Sequence, residues 1–454
     1  MVERFFNLKG NGTDVRTEVI AGITTFMTMA YILAVNPTIL SCTGMDSGAV
    51  FVATCLGSFV GTMLMAFLSN YPFAQAPSMG LNAFFAFTVC GQMGFSWQLA
   101  LAAVFLEGIL FVILSLLPIR EAIFNSIPIS LQEGVAAGIG LFIAFIGLQG
   151  AKFVAYNQAT LVEIYNFKAA IADGTIYSVG MGVLLCCFGL LLTAILLARK
   201  VKGAILIGIV GTYLATIVCQ MTGLYVPNPA AGMYSTYPNF SNFGIPSISS
   251  TFFKFDFSQL FTFNFVTIML TFMFSDLFNT LGTLIGVATK ANMLDKDGKL
   301  PRIKGALLAD SIATIVGAIF GTSTVTTYVE SSAGVVEGGR TGLTAVVTAC
   351  LFLVSLVFAP IFLAIPSFCT APALIIVGFM MVSSLLKIDF DNIVEAVPAY
   401  IAAIAMPFFY SISEGISLGT ISYVVLHLFC KTTNKCSPVI YILAIVFVLK
   451  YIYI

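Results

Sequence analysis

Two carboxylates, Asp276 and Glu330, lie in apolar surroundings where an ionised group is costly. Asp276 is in the middle of the apolar stretch from Phe261 to Val287. Glu330 lies in the stretch 321–334, GTSTVTTYVESSAG, which is too polar and too broken for an ordinary spanning helix. A charged side chain at the centre of a bilayer costs roughly 2.5–3.5 kcal/mol on insertion scales. Both residues are therefore functional candidates that face protein or a water-filled cavity.

The two carboxylates suit different chemistry. Helical spacing places Asn279 and Thr280 on the same face as Asp276, which predicts a polar stripe along that helix. Asp276 can contact a substrate or exchange a proton there, because desolvation favours its neutral form. The structural alternative for Asp276 is a hydrogen bond that only joins two helices.

Glu330 can accept paired N–H donors of a neutral heterocycle in charge-assisted bonds. Its structural alternative is the capping of a helix N-terminus.

Two apolar segments are too short and too interrupted to be ordinary spans. Pro77 and Gly80 disrupt the third segment, and the Thr/Ser run 322–327 favours an extended entry into the tenth. Interrupted helices at corresponding positions are typical of transporter binding sites, where free N–H groups meet at the centre of the membrane. Asn82, whose amide can donate and accept, is the polar candidate of the third segment, where it either reads the edge of a base or satisfies the broken backbone. Close helix packing at small residues is the structural alternative.

Other titratable residues are weaker candidates. Four acidic residues lie near predicted span ends, where snorkelling or capping is a sufficient explanation. They are Glu133, Asp310, Glu337 and Glu414. Glu107 is nearer to the middle of its span, where we expect a bond between helices. The chain has one histidine and no CxxC pair, so it has little material for a Ser-His-Asp triad or a metal cluster. We predict no metal, no cofactor and no enzymatic activity.

The composition predicts an integral membrane protein. Of the 454 residues, 59% are hydrophobic and 9% are charged, whereas a soluble domain has about 25% charged residues. The formal net charge is zero, so that no basic surface for nucleic acid is expected. No cleavable signal pattern is expected before the first span.

Apolar runs of suitable length predict an all-α polytopic protein with about fourteen transmembrane segments. The segments are placed at 17–40, 48–69, 77–91, 97–117, 131–149, 178–198, 203–222, 261–287, 305–320, 324–338, 341–363, 370–386, 391–410 and 412–430. One further apolar run, from Pro438 to Ile454, either spans the membrane or lies on its surface.

The distribution of basic residues predicts the orientation. With a cytoplasmic N-terminus, most Lys and Arg residues fall in cytoplasmic loops, as the positive-inside rule requires. Lys152, Lys168 and Lys254 then lie outside. These assignments predict a multi-pass protein of the plasma membrane with its N-terminus in the cytoplasm.

The two halves of the chain look related. Thr25-Phe26-Met27 in the first span matches Thr271-Phe272-Met273 in the eighth, and the two interrupted segments occupy corresponding positions. Seven spans per half would give the halves opposite orientations, which predicts a seven-plus-seven inverted repeat. The predicted divisions are 1–222 for the first repeat, 223–260 for an outside loop, 261–430 for the second repeat and 431–454 for the C-terminal apolar segment.

Three motifs resemble those of a known family. They are TEVIAGITTFMTMAYILAVNP at 17–37, MGLNAFF at 79–85, and GTSTVTTYVESSAG at 321–334 with EGGRTG at 337–342. Together they resemble the AzgA-like hypoxanthine/guanine permeases of the nucleobase–ascorbate transporter superfamily, and the resemblance covers nearly the whole chain. It implies a core domain from the spans in 17–117 and 261–363. It also implies a gate domain from the spans in 131–222 and 370–430.

The resemblance implies a function as well. Members of this family are typically proton symporters that import oxopurines by alternating access, and their relatives form dimers. We therefore expect hypoxanthine and guanine as substrates, with adenine as a further candidate, and a homodimer in the lipid bilayer. Carried over residue by residue, the substrate contacts fall on Asp276, Glu330, Gly80 and Asn82.

The chain departs from the family pattern at two positions. The family usually has a second aspartate three residues after the first in the eighth span, where this chain has Asn279. It usually has glycine where this chain has Ser78. Because an asparagine side chain does not titrate, either Asp276 alone carries the proton or the coupling is altered. Asp276 is the proton-coupling candidate, and Asn279 remains a candidate for substrate binding.

Three other functions are compatible with parts of the pattern. An anion transporter of the same architecture would use the half-helix N-termini for a negative substrate, although the carboxylate of Glu330 already occupies such a position. An intramembrane enzyme would use Asp276 and Glu330 as an acid dyad. An uncoupled channel or a scaffold would need neither carboxylate to titrate.

Overall fold

A computed structural model describes residues 2–116, 128–238, 244–290, 293, 300–430 and 437–453. Several basic residues of the predicted cytoplasmic loops lie outside the described residues: Arg120, Lys296, Lys299, Lys431 and Lys435. The end of the predicted C-terminal segment, Ile454, and part of the predicted outside loop, 239–243, also lie outside them.

The described residues are predominantly helical. The helices of the first half are α1 (Val2–Phe5), α2 (Val15–Met29), α3 (Ile32–Ser41), α4 (Ser47–Ser69), α5 (Met79–Ala83), α6 (Trp97–Leu116), α7 (Ile129–Gly150), α8 (Phe167–Ala172), α9 (Val179–Ala198) and α10 (Ala204–Met221). Those of the second half are α11 (Phe263–Lys290), α12 (Ile303–Phe320), α13 (Ser331–Val336), α14 (Gly342–Val354), α15 (Ala359–Phe362), α16 (Ser367–Val382), α17 (Ile393–Phe408), α18 (Ile412–Phe429) and α19 (Pro438–Tyr453).

Short irregular helices complete these elements. Phe84–Gln92 is π-helical and continues α5. Short 3-10 helices lie at Lys9–Asn11, Thr175–Tyr177, Pro229–Ala231, Ser355–Phe358 and Ser383–Lys387.

The strands are β1 (Gln75–Pro77), β2 (Val154–Asn157), β3 (Leu161–Ile164) and β4 (Val325–Thr327). The β2–β3 hairpin, between α7 and α8, was not predicted from the sequence.

Outside the third and tenth segments, the predicted spans correspond to helices at nearly the predicted bounds. Among the described residues, 10 helical segments are long and apolar enough to cross a membrane, and three shorter apolar helices lie at 263–277, 393–408 and 438–449. The first span is divided into α2 and α3 at Tyr31. At its start the Thr17 N–H donates to Asp14 at 2.8 Å. This cap holds the pKa of the exposed Asp14 carboxyl below its usual range.

The two interrupted segments meet in a short antiparallel sheet. Strand β1 of the third segment pairs with β4 of the tenth, with Gln75 opposite Thr327 and Pro77 opposite Val325. Both strands are fully buried. Backbone groups inside a bilayer need internal partners, and each strand supplies them to the other. The extended entry predicted for the run 322–327 is therefore confirmed, whereas the matching strand in the third segment was not predicted.

The long helices pack in two groups. In one group α4 and α6 pack on α12, while α2 and α4 pack on α14. In the other, α16 and α17 pack on α7, α9 packs on α10 and α16, and α17 packs on α18. Helix α11 runs beside α6 and touches α7 and α18 of the second group. The C-terminal helix α19 packs on α18.

Candidate functional site

The candidate site lies where β1 and α5 cross β4 and α13. The backbone N–H of Ser78 donates to the Thr324 carbonyl at 2.9 Å, just beyond the paired strands. The Tyr328 hydroxyl donates to the Pro77 carbonyl at 2.5 Å. These bonds fasten the third segment to the tenth, so that the starts of the short helices α5 and α13 are held in a fixed relation.

Glu330 is held by a tyrosine of the first span. The Tyr31 hydroxyl donates to Oε1 of Glu330 at 2.8 Å, and both side chains are buried. Glu330 occupies the N-cap position of α13, but its side chain makes no capping bond. The alternative that Glu330 serves as a capping carboxylate is therefore wrong. Its carboxylate is oriented by Tyr31, which lies at the break between α2 and α3.

Asp276 belongs to a buried acidic pair. The Thr280 hydroxyl lies 3.0 Å from Oδ1 of Asp276 and 3.1 Å from both carboxylate oxygens of Asp310. All three residues have 0% exposure. The predicted shared face of Asp276 and Thr280 is confirmed. The same hydroxyl links α11 to α12, so that a structural bond and a role in proton binding can coexist at this position.

Asp310 is a central residue, and its placement near a span end was wrong. Helix α12 begins at Ile303, two turns earlier, and Asp310 is fully buried. Its Oδ1 accepts from the Thr327 backbone N–H at 3.2 Å and from Nε2 of Gln75 at 3.4 Å. Asp310 therefore contacts both strands of the central sheet as well as Thr280.

Asn279 bridges the two interrupted segments. Its Nδ2 donates to the Ser78 hydroxyl at 3.2 Å and to the Thr326 hydroxyl at 3.1 Å. The two positions at which the sequence departs from the family pattern, Asn279 and Ser78, are thus in direct contact. An amide that donates to two hydroxyls leaves its own oxygen as an acceptor.

The third segment contributes one polar side chain and one close approach. Oδ1 of Asn82 accepts from the Ser323 hydroxyl. Nδ2 of Asn82 is buried and has no hydrogen-bond partner among the described residues. Buried polar groups are normally satisfied, so this donor is available to a ligand. A Cβ at Gly80 would lie 2.6 Å from Cγ2 of Ile139, so glycine allows α5 to approach α7.

The remaining acidic candidates have protein partners. Glu107 accepts from the Thr324 hydroxyl at 3.2 Å, so it joins α6 to the entry of β4 as a bond between elements. At the predicted span ends, Lys387 pairs with Glu133 at 2.8 Å and Lys202 pairs with Glu337 at 2.5 Å. The Tyr451 hydroxyl donates to Glu414.

The sequence analysis missed Tyr31, Ser323 and Thr326. The polarity of each is ordinary for a helix or a strand. Each matters because of one contact, that of Tyr31 with Glu330, Ser323 with Asn82, or Thr326 with Asn279. A signal existed for Tyr31, since it is a polar aromatic residue in the middle of an apolar span. No comparable signal distinguished Ser323 from the other hydroxyls of its run.

Comparison with known proteins identifies the family. A family model described as Permease family, Xan_ur_permease, matches residues 16–418. The chain belongs to this permease family. It is 43% identical over 454 residues to the adenine permease AdeP of Escherichia coli, covering 100% of this chain and 96% of AdeP. It is 42% identical over 463 residues to the guanine/hypoxanthine permease PbuG of Bacillus subtilis, covering 100% of both chains.

Solved structures share the fold of this permease. The transmembrane domain of a cyanobacterial bicarbonate transporter, BicA, matches with a TM-score of 0.62 at 13% identity, over 90% of this chain and 97% of that one. SLC26A9 matches with a TM-score of 0.63 at 11% identity, over 92% of this chain and 66% of that one. At such identities the likeness concerns the fold alone.

These findings settle the class of protein. The permease is a multi-pass membrane transporter with the seven-plus-seven inverted-repeat fold that the sequence predicts. The interpretation of Asp276 and Glu330 as the acid dyad of an intramembrane enzyme is excluded by membership of a permease family.

Proposed function

We propose that this permease imports purine nucleobases across the cell membrane by proton symport. Hypoxanthine and guanine are the proposed substrates, with adenine as a further candidate. The observation that carries the proposal is the full-length similarity to permeases named for adenine and for guanine and hypoxanthine. The cell membrane and a cytoplasmic N-terminus are part of the proposal, supported by the distribution of basic residues.

The geometry supports a role for each proposed substrate contact. Glu330, oriented by Tyr31, accepts the N–H edge of the base in charge-assisted bonds. The unpartnered Nδ2 of Asn82 donates to a ring nitrogen or an oxo group. Gly80 lets the start of α5 pack closely on Ile139 of α7, and Asn279 contributes an amide on the eighth span.

Alternating access is proposed to occur between the two helix groups. We assign the group around α4, α12 and α14 to the proposed core domain and the group around α7, α16 and α17 to the proposed gate domain, and the packing within each group supports this assignment. The candidate site, where the third and tenth segments cross, is proposed to move with the core. A rigid displacement of the core against the gate would then expose the bound base to each side in turn.

Proton coupling is proposed to reside in Asp276. The residue is fully buried and shares the Thr280 hydroxyl with Asp310. Two carboxylates that share one hydroxyl in a buried region disfavour double ionisation, so the pair can hold a proton. A change in the hydration of this pair during core movement would bind the proton on one side and release it on the other.

Uptake measurements test the substrate class. We expect cells that lack their own purine permeases to accumulate radiolabelled hypoxanthine, guanine or adenine when they express this chain. Glu330→Gln should lower the ratio of maximal rate to KM by about 10- to 150-fold, the effect of losing a charge-assisted bond. Glu163→Gln, on the exposed β3 strand, is the control and should transport normally. Uptake of sulfate or bicarbonate but no purine would contradict the proposal.

Imposed gradients test the coupling. An inward proton gradient should accelerate uptake into proteoliposomes, and a protonophore should abolish accumulation. Asp276→Asn should retain equilibrium exchange of the base while losing accumulation driven by protons. Accumulation that is indifferent to the gradient, to the protonophore and to Asp276→Asn would contradict symport while leaving nucleobase transport intact.

The proposed homodimer has a separate test. It is expected from the family resemblance, and native mass spectrometry of the purified protein measures it directly. A mass of one chain across a range of detergent concentrations would contradict it.

A further inference from the structure

A buried carboxylate at the start of the first span has no part in the proposed transport mechanism. Glu18 lies on the first turn of α2 and has 0% exposure. Its partners belong to the segment between α13 and α14, 322 to 326 residues further along the chain. Acidic side chains are rarely buried completely unless they are paired or hydrogen-bonded, so these partners explain why Glu18 is tolerated there.

Four donors converge on the carboxylate of Glu18. Its Oε1 accepts from the Arg340 N–H at 2.9 Å. Its Oε2 accepts from the Thr341 N–H at 3.4 Å, the Thr344 N–H at 3.1 Å and the Thr344 hydroxyl at 2.6 Å. Hydrogen bonds to a carboxylate belong to the stronger class. Because three of the donors are backbone groups, Glu18 fixes the course of the chain over residues 340–344 relative to α2.

Part of this arrangement is the ordinary capping of a helix. The first three residues of α14, 342–344, have N–H groups without a partner inside the helix. Side-chain oxygens of Asn70, Thr341 and Glu18 accept from them, in that order. Capping therefore explains the bond from residue 344 to Glu18. It does not explain the bond from Arg340, which precedes the helix.

Arg340 belongs to the turn that ends the short helix α13. Its Nη1 donates to the carbonyls of Val335 at 2.6 Å and Gly339 at 2.8 Å. Within the turn, the Gly339 N–H donates to the Gly334 carbonyl at 3.0 Å. Two C-terminal carbonyls of α13 are thus satisfied by the turn, and Glu18 holds the turn by the N–H of Arg340. The same carboxylate therefore fixes the end of α13 and the beginning of α14.

The first span also contacts the middle and the other end of α13. In the middle, a Cβ at Gly334 would clash with the Thr25 hydroxyl and would lie 2.6 Å from the Ala21 carbonyl, so α13 lies directly on α2. At the N-terminal end of α13, the Tyr31 hydroxyl donates to Glu330. The contacts follow the first span in one direction and α13 in the opposite direction. The first span is therefore the support on which α13 is placed.

We propose that Glu18 is a positioning residue for the transport site, because it fixes the C-terminal end of α13 and thereby the place of Glu330 at the N-terminal end. The inference rests on the proposed contact of Glu330 with the purine base. Helix α13 has six residues, Ser331–Val336. At 1.5 Å per residue its two ends are only about 9 Å apart, so a shift at one end displaces the other. Without the bonds to Glu18, Glu330 is present but is displaced from the base.

Uptake kinetics separate positioning from folding. Glu18→Gln keeps the size of the side chain but replaces one acceptor oxygen by an NH₂ group that faces N–H donors. We expect the KM for the base to rise by about 5- to 30-fold, with a smaller change in the maximal rate per folded transporter. Asp46→Asn is the control and should leave KM unchanged, because Asp46 caps another helix of the same group, α4, through the Ala49 N–H at 2.7 Å. A lower maximal rate of Glu18→Gln at unchanged KM would overturn the proposal.

A double-mutant cycle tests whether Glu18 acts through Glu330. In the Glu330→Gln background the base has lost the charge-assisted bond whose geometry Glu18 sets, so Glu18→Gln should change KM by less than about twofold. Equal fold-changes of KM in the two backgrounds would contradict the positioning role. Thr344→Val removes one donor to Glu18 and repeats the comparison if Glu18→Gln does not fold. It should raise KM in the wild-type background only.

Hydrogen exchange provides a readout that does not depend on the substrate. In lipid nanodiscs, Glu18→Gln should accelerate exchange at residues 331–340 by about tenfold or more, and Asp46→Asn should leave it unchanged. Unchanged exchange at 331–340 in Glu18→Gln would overturn the proposal. If the wild type accumulates no purine, the proposed function fails, whereas the exchange measurement still tests how α13 is held.

Discussion

At the scale of single residues, the candidate site consists of acceptors whose orientation is set by hydroxyl groups. Tyr31 orients Glu330, Ser323 orients Asn82, and Thr280 lies between Asp276 and Asp310. A hydroxyl donates one proton and accepts through its lone pairs, so each of these contacts fixes a carboxylate or amide without adding charge. Among the described residues of the site, the charge therefore resides in the carboxylates.

Tyr31→Phe tests this arrangement. The substitution removes the hydroxyl that donates to Glu330 and keeps the aromatic ring. The carboxylate therefore stays in the site but lacks the bond that orients it. We expect a KM for the purine base that is raised by about 5- to 30-fold with a smaller change in maximal rate, the effect of about 1–2 kcal/mol. The measurement is initial uptake over a range of base concentrations. Phe26→Leu, in the preceding helix α2, is the control for altered aromatic packing.

A change in maximal rate at constant KM would contradict the positioning role of Tyr31. Such a result would place Tyr31 in the conformational cycle rather than at Glu330, because uniform loss of binding raises KM.

The sequence identified single residues better than it identified their partners. Asp276, Glu330 and Asn82 were predicted because a charge or an amide in an apolar segment is unusual. Asp310 was misjudged because the predicted span began too late, at 305, and its partners come from strands far along the chain. Contacts between distant segments leave no local pattern, which is why Tyr31 and Thr326 were found only in the structure.

At the scale of elements, the interrupted segments depend on close packing at their junctions. Two short strands supply each other's backbone partners, and α5 reaches α7 because residue 80 has no side chain. The sequence predicted both interruptions from Pro77, Gly80 and the hydroxyl-rich run. It did not predict that the segments pair with each other, because three-residue strands have no detectable periodicity.

Gly80→Ala tests the packing of α5 on α7. The added Cβ would lie 2.6 Å from Cγ2 of Ile139, so α5 must shift or Ile139 must move. Overpacking of this kind costs about 1–3 kcal/mol. We expect uptake to fall at least several-fold, and Ile139→Ala in the same chain to restore part of it by removing the clashing methyl. Gly150→Ala is the matched control, because nothing lies within 4 Å of its Cβ.

Failure of Ile139→Ala to restore any uptake in the Gly80→Ala background would contradict a steric role for the glycine. It would indicate instead that the backbone of α5 requires glycine for contact with the base.

Thr280→Val tests the link between α11 and α12. Valine has the shape of threonine but no hydroxyl, so Asp276 and Asp310 lose their shared donor. A hydrogen bond to a charged group contributes about 1.5–3 kcal/mol to stability. We expect a lower thermal unfolding temperature of the purified protein, whereas Thr193→Val should have a small effect. The Thr193 hydroxyl is also buried, and among the described residues it bonds to the carbonyl of Gly189 in its own helix and not to a carboxylate. Equal effects of the two substitutions would contradict the shared-donor role.

At the scale of the whole molecule, an ion pair joins the two helix groups. Lys202, between α9 and α10, pairs with Glu337 at the end of α13 at 2.5 Å. Gly203 beside it packs against Met27 of α2. The pair thus joins the proposed gate to the proposed core on the side that basic residues assign to the cytoplasm. The seven-plus-seven organisation was predictable from sequence, but this contact between the halves was not.

Charge exchange at this pair tests whether it selects a conformation. The lysine side chain is 54% exposed and the glutamate 23%, so the pair contributes at most about 1 kcal/mol. Such an energy changes the ratio of two conformations by about fivefold. We expect Lys202→Glu to change the maximal uptake rate by up to this factor and to increase hydrogen exchange at residues 199–204. Adding Glu337→Lys should restore both the uptake rate and the hydrogen exchange, because the pair with swapped charges attracts equally.

The control swaps the charges of Lys387 and Glu133, which pair within the gate group. This control should leave hydrogen exchange at residues 199–204 unchanged. If the double variant behaves as the sum of its single substitutions, the pair does not couple the core to the gate.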